Sequence, residues 1–290
     1  MTSSNNCIFI LSGQSSGSGV LHNFLAMHNC GAYLEYEGHE PNESHYWLRA
    51  AASLQLPLVP MLASSVSLNE KKAVGQLRDF IARNISAKQT LPPESRDAIF
   101  DNWRALCQAN APVLLDKSPS CLLQWPVLEL LQEAIERLSG EVDFYLLGLV
   151  RNPMDVIYSY WKHWQVYPHK KDCEWRQEYS NLLKARELFG DRLHVLRYED
   201  FVQSSESPAS LASFLGLPEL PGSNLVHSKS MGMWKKDDFF SYRLSAETME
   251  LAMQYGYTKE QLQKPAKNRA LWPVLKHGIA LRDRISRKLS

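Results

Sequence analysis

Cys7-Ile-Phe-Ile-Leu11, then Ser12-Gly-Gln-Ser-Ser-Gly-Ser-Gly19, then Val20-Leu-His-Asn-Phe-Leu-Ala-Met27 is the stretch on which the fold turns. Five apolar residues in a row suit a strand buried on both faces of a parallel sheet. The glycines and serines after them suit a tight loop, and Val20–Met27 suits a helix opened by it. A loop of this kind can turn its backbone N–H groups inward, and the helix start adds the positive end of its dipole. Gly13, Gln14, Ser15, Ser16, Gly17, Ser18, Gly19 and Val20 are therefore candidates to cradle a phosphate. The loop has no lysine, so the G-x-x-x-x-G-K-[ST] pattern fails. An ATP or GTP enzyme is disfavoured, because that lysine and the next hydroxyl carry the γ-phosphate and magnesium contacts.

Three further apolar runs read as parallel strands: Val113–Leu115, Phe144–Val150 and Leu193–Leu196. Helical patterns lie between them. Ser67-Leu-Asn-Glu70 has the form of a capping box before Val74, Leu77, Ile81 and Ile85. Ser95–Gln108 spaces Ile99, Trp103 and Leu106 helically. Asn152 and Pro153 suit a cap and first helical position, with Met154, Ile157, Tyr158 and Trp161 as the apolar stripe. This alternation predicts an α/β fold, a single-domain, P-loop-like, doubly wound parallel sheet with helices on both faces. No repeat or long linker divides residues 1–260, and 261–290 form a basic C-terminal extension expected to be helical. From Lys264 onward it holds eight Lys/Arg against one acid.

The residues just past each strand point to chemistry, because ligands bind beyond the carboxyl ends of strands in open α/β sheets. The small-residue loop comes after the first strand, Asp116 and Lys117 after the second, Arg151 after the third, and Arg197 and Tyr198 after the fourth. Arg151 can offer a bidentate fork to a phosphate. Ser159 falls roughly 150° from its helix's apolar stripe at about 100° per residue, free to add a hydroxyl. That set suits a nucleotide with several phosphates.

Together these residues resemble the PAPS-dependent sulfotransferases, whose donor is 3′-phosphoadenylyl sulfate, over about residues 7 to 257. Gln14–Leu21 is similar to the family's 5′-phosphosulfate loop, and Arg151 with Ser159, behind Arg-Asn-Pro, to its 3′-phosphate motif. Tyr198-Glu-Asp-Phe201 resembles an element near the adenine. Asp116-Lys-Ser-Pro119 resembles a segment whose lysine lies near the transferring sulfate. Lys229-Ser-Met-Gly-Met-Trp234 resembles a C-terminal donor loop, adding Lys229, Ser230, Met231 and Gly232 to the donor candidates. The resemblance implies PAPS as sulfuryl donor, PAP as product and no metal. Two positions depart from it. Ser15 stands where the family carries a basic residue, which passes that charge to Lys117, and Gly19 stands where a hydroxyl is common.

The acceptor must lose a proton, which asks for a carboxylate or histidine. Glu35-Tyr-Glu-Gly-His-Glu40 and His45 supply candidates, with Glu37 first and Glu35 and His45 behind it. The acceptor expected is a hydroxyl or amine of a small metabolite or carbohydrate. A binding protein of the same fold with impaired catalysis, suggested by Ser15, and a P-loop kinase-like phosphotransferase remain alternatives. A formal charge of +1 over 290 residues gives no global pull toward nucleic acid. Five scattered cysteines without a Cys-x-x-Cys pair suit reduced thiols. With no signal-like or membrane-spanning run, the expectation is a cytoplasmic protein, with a homodimer open.

Overall fold

The four apolar runs form one parallel sheet. Its strands are β1 (Asn5–Ser12), β2 (Val113–Lys117), β3 (Val142–Val150) and β4 (Leu193–Arg197), in the order β2-β1-β3-β4. The computed structural model describes residues 5–27, 43–62, 64, 66–85, 95–204, 206–217 and 231–265. In register, Cys7 of β1 pairs with Leu114 on one side and Phe144 on the other, and Leu146 of β3 pairs with Leu193.

The sheet is clothed on both faces, as period-two alternation requires. Ile8, Ile10, Leu115, Leu147, Leu149 and Leu196 face a smaller cluster. It is filled from α1 (Ser18–Met27), α8 (Tyr198–Gln203) and α9 (Glu206–Leu215). Cys7, Phe9, Leu11, Leu114, Leu146 and Val150 face a larger one. That layer draws on α2 (Tyr46–Ser53), α3 (Glu70–Asn84), α4 (Arg96–Ala109), α5 (Trp125–Arg137), α6 (Pro153–Trp164) and α7 (Pro168–Phe189). Short helices α10 (Met233–Lys236), α11 (Ala246–Gln254) and α12 (Lys259–Leu262) complete the described chain.

Local signals set most helix starts. Asn152 caps α6 by accepting from Met154 N at 2.9 Å, with Pro153 inside the first turn, and Ser95 caps α4 by accepting from Ala98 N at 3.1 Å. One start differs from expectation. Asn69, not Ser67, caps α3 and accepts from Lys72 N at 3.2 Å. Ser67 Oγ instead accepts from Asn69 N, forming the turn before the cap. Residues 266–290 of the basic extension lie outside the described residues. No helix among those described is long and apolar enough to cross a membrane.

Candidate functional site

The strand order reverses direction between β1 and β3, the topological switch point at which open α/β sheets bind ligands. The loop after β1 and Arg151 after β3 meet there. Ser15 and Gly17 both have positive φ, 63° and 87°, which folds the loop back across the start of α1. Val20 N and Leu21 N bond Gly17 O. The N–H groups just ahead of them are the ones a helix start leaves without intrahelical partners. Ser16 Oγ lies 2.7 Å from Tyr179 OH, which donates to Leu149 O at 3.1 Å, so the loop is tied to α7 and β3. Gln14 is held by Ser120 Oγ at 3.2 Å and by a short bond from Tyr160 OH.

Arg151 is buried and does not point away from the loop. Its Nη1 donates to Ser15 O at 3.0 Å, and its guanidinium sits 4.8 Å from the Tyr198 ring centroid. Tyr198 in turn presses on Gly17, where a Cβ would stand 2.3 Å from the ring. The structure thus brings the loop, Arg151 and Tyr198 into one stack. Ser159 is half-buried on α6. Met231 packs at the edge of the smaller core, and Gly232 N donates to Asp155 Oδ1 at 2.8 Å. Burial lifts the Asp155 carboxyl to about 6, against the pull of Arg151. Met231 and Gly232 also line a cavity of about 400 Å³, together with Asp155, Glu199 and Asp200. Arg197 and Lys235 line it as well, so its charge is mixed, unlike that of the loop and Arg151. Lys229 and Ser230 lie outside the described residues.

On the other flank, the amine of Lys117 is 3.9 Å from where a Gly19 Cβ would stand. A lysine from β2 therefore reaches the end of the glycine- and serine-rich loop. Its neighbour Asp116 turns the other way and is fully buried, accepting from Ser44 Oγ at 2.8 Å, Ser44 N at 3.3 Å and Ser118 Oγ at 3.2 Å. Burial raises Asp116 to about 6 in spite of these donors. Ser118 Oγ accepts from His45 N at 3.0 Å, and Arg49 donates to Ser44 O. The Asp-Lys-Ser segment thereby grips the chain at 44–45 and sets Glu43 against Lys117, with Oε1 2.8 Å from Nζ. His45 Nε2 lies 3.5 Å from the other Glu43 oxygen. Burial alone would raise Glu43, but His45 and the Lys117 ammonium bring it down to about 2. Burial pulls His45 below the ordinary histidine value, opposed by Glu43. Glu37 and Glu35 lie outside the described residues.

Glu43 escapes a reading of the sequence. It sits in a polar stretch crowded with acids and histidines, and only the Asp116 and Ser118 anchors single it out. A second such group lies beneath the loop. Lys171 Nζ bonds Glu174 Oε1 at 2.7 Å and Glu178 at 3.2 Å, all buried on α7. Glu178 abuts Gly13, whose Cβ would stand 2.3 Å from Oε2. Burial raises Glu178 to about 7, countered by Lys171. Among the described residues no three His, Cys, Asp or Glu side chains gather as metal ligands.

Compared with known proteins, residues 7–221 match the sulfotransferase family. No curated protein matches the chain. A solved sulfotransferase domain from the curacin biosynthetic pathway is similar over 87% of this chain and 97% of its own length. Its TM-score is 0.56 at 23% identity, a likeness of fold.

Proposed function

Since this chain belongs to the sulfotransferase family, we propose that its donor is 3′-phosphoadenylyl sulfate and its acceptor a hydroxyl or amine of a small metabolite or carbohydrate. The observation that carries this reading is the stack at the switch point, where Arg151 is joined to the loop through Ser15 O and Tyr198. Lys117 flanks the loop from the opposite side. Loop amides and Lys117 then face the 5′-phosphosulfate, while Arg151 and Ser159 take the 3′-phosphate.

The acceptor atom attacks sulfur, the bond between sulfur and the 5′-phosphate oxygen breaks, and PAP leaves. Negative charge collects on the departing oxygen. With serine at position 15, Lys117 and the backbone amides are the donors aimed there. The acceptor's proton goes to a carboxylate, and Glu43 is the one that reaches Lys117. No step in this scheme asks for a metal. Free, buried Cys7, Cys107 and Cys121 suit a reducing, cytoplasmic setting.

The test uses calorimetry with PAP and with an analogue lacking the 3′-phosphate. Arg151→Ala should weaken PAP by ~1.5–3 kcal/mol and the analogue far less. Equal losses would remove the 3′-phosphate assignment, and absence of sulfuryl transfer from labelled PAPS across an acceptor panel would remove the activity.

A further inference from the structure

Lys117 has one ammonium and two claimants. Glu43 holds it at 2.8 Å, and the same ammonium stands 3.9 Å from a Cβ built on Gly19. A sulfonate seated on the loop and Glu43 must therefore compete for it. We propose that they exchange: the donor's sulfonate takes Lys117 from Glu43, and the released carboxylate becomes the acceptor's proton sink. This rests on the donor reading and deepens it.

Three features favour exchange over a fixed pair. The chain beside Glu43 cannot drift, because Ser44 is fixed by Asp116 and Arg49, and His45 N by Ser118 Oγ. Movement is left to the Glu43 side chain. A second partner stands ready, since His45 Nε2 is 3.5 Å from the carboxylate and remains beside it when Lys117 turns away. Finally, the side chains of Lys117 and Glu43 are 7% and 18% exposed. At that depth a charge separated from one partner needs another, and a sulfonate supplies it for Lys117.

The exchange also resolves a conflict in the chemistry. A carboxylate brought to about 2 by His45 and the Lys117 ammonium together is a poor proton acceptor. Giving the ammonium to the sulfonate removes the Lys117 share of that hold and places a negative charge nearby, and both changes raise Glu43's affinity for a proton. Proton-accepting power then appears once the donor is seated.

The experiment is calorimetry of PAPS and of PAP without acceptor, on the wild type, Glu43→Gln, Lys117→Met and the double variant. PAP lacks the sulfonate and keeps the 5′-phosphate, so it draws on Lys117 only through the oxygen that departs. Glu43→Gln should tighten PAPS ~10-fold or more and PAP several-fold less. Retained PAP binding shows that the variant is folded. Glu43→Asp, which keeps the charge but draws it back from Lys117, should shift PAPS in the same direction by less. In the Lys117→Met background, Glu43→Gln should leave PAPS affinity within ~2-fold. Equal tightening of both nucleotides, or tightening that persists without Lys117, would reduce the effect to plain repulsion and overturn the exchange. A wild type that binds neither nucleotide would overturn the donor reading instead.

Discussion

Gly17→Ala isolates the stack that joins the two halves of the site. Gly17 has φ +87°, a conformation that costs an L-residue about 1–2 kcal/mol. The added methyl also meets the Tyr198 ring at 2.3 and 2.4 Å, well inside contact distance. The ring is 2% exposed, with Arg151 on it and Phe201 and Leu211 in the same core cluster. Overpacking of such a site costs about 1–3 kcal/mol. The combined loss is therefore about 2–5 kcal/mol of unfolding free energy, a large share of the about 5–15 kcal/mol that holds a domain together. The ring cannot shift without moving the guanidinium 4.8 Å away, which also grips Ser15 O. PAP affinity should thus fall ~10-fold or more alongside the stability. Urea unfolding and then PAP calorimetry on the folded variant read both quantities. Adding Tyr198→Leu should return the part due to the clash and leave the backbone part. A Gly17→Ala protein within ~0.5 kcal/mol of wild type, with unchanged PAP affinity, would refute the reasoning.

Lys117→Ala should lower turnover at least ~10²-fold while PAP affinity stays near wild type, and steady-state kinetics beside calorimetry checks the split. Asp116→Asn addresses pH. Burial lifts this carboxyl to about 6 in the native state, so the folded protein binds its proton more tightly than the unfolded chain. The resulting stabilisation is complete below about pH 4 and is lost as pH rises through 6, by about 3 kcal/mol. Denaturation from pH 4 to 7 should show a shallower decline in Asp116→Asn than in wild type. Some slope should remain, because Asp155 and Glu178 are shifted the same way. An unchanged slope would mean that Asp116 is ionised throughout.

The strands are readable in the sequence because a parallel sheet covered on both faces needs unbroken apolar runs, and Cys7–Leu11 and Phe144–Val150 are such runs. The loop and Arg151 are readable for a related reason, since the residues after each strand in this fold must emerge at one edge. Lys117 is expected at that edge. Its pairing is not, because a strand sends neighbours to opposite faces: Asp116 goes to Ser44 and Lys117 to Glu43. Nothing local distinguishes Glu43 from the acids before it, as its position is set by contacts more than seventy residues along the chain. The charged run Lys171, Glu174, Glu178 has the spacing of a solvated helix face. Only the tertiary structure buries that face under the loop, where the three charges partly neutralise one another.

The pairing of β1 with β3 has a consequence for how the protein is made. Cys7 finds its sheet partner in Phe144, so β1 must wait for a further 137 residues, nearly half of these 290, before this seam can close. Non-local closure of this kind is slow, because the connecting chain must be ordered before the contact gives anything back. The loop after β1 has no arginine beside it until residue 151 has been added and β3 has docked. Nucleotide that binds at this seam binds only the finished sheet. It therefore acts as a stabilising ligand of the β1–β3 joint, holding closed a contact that spans nearly half of the chain.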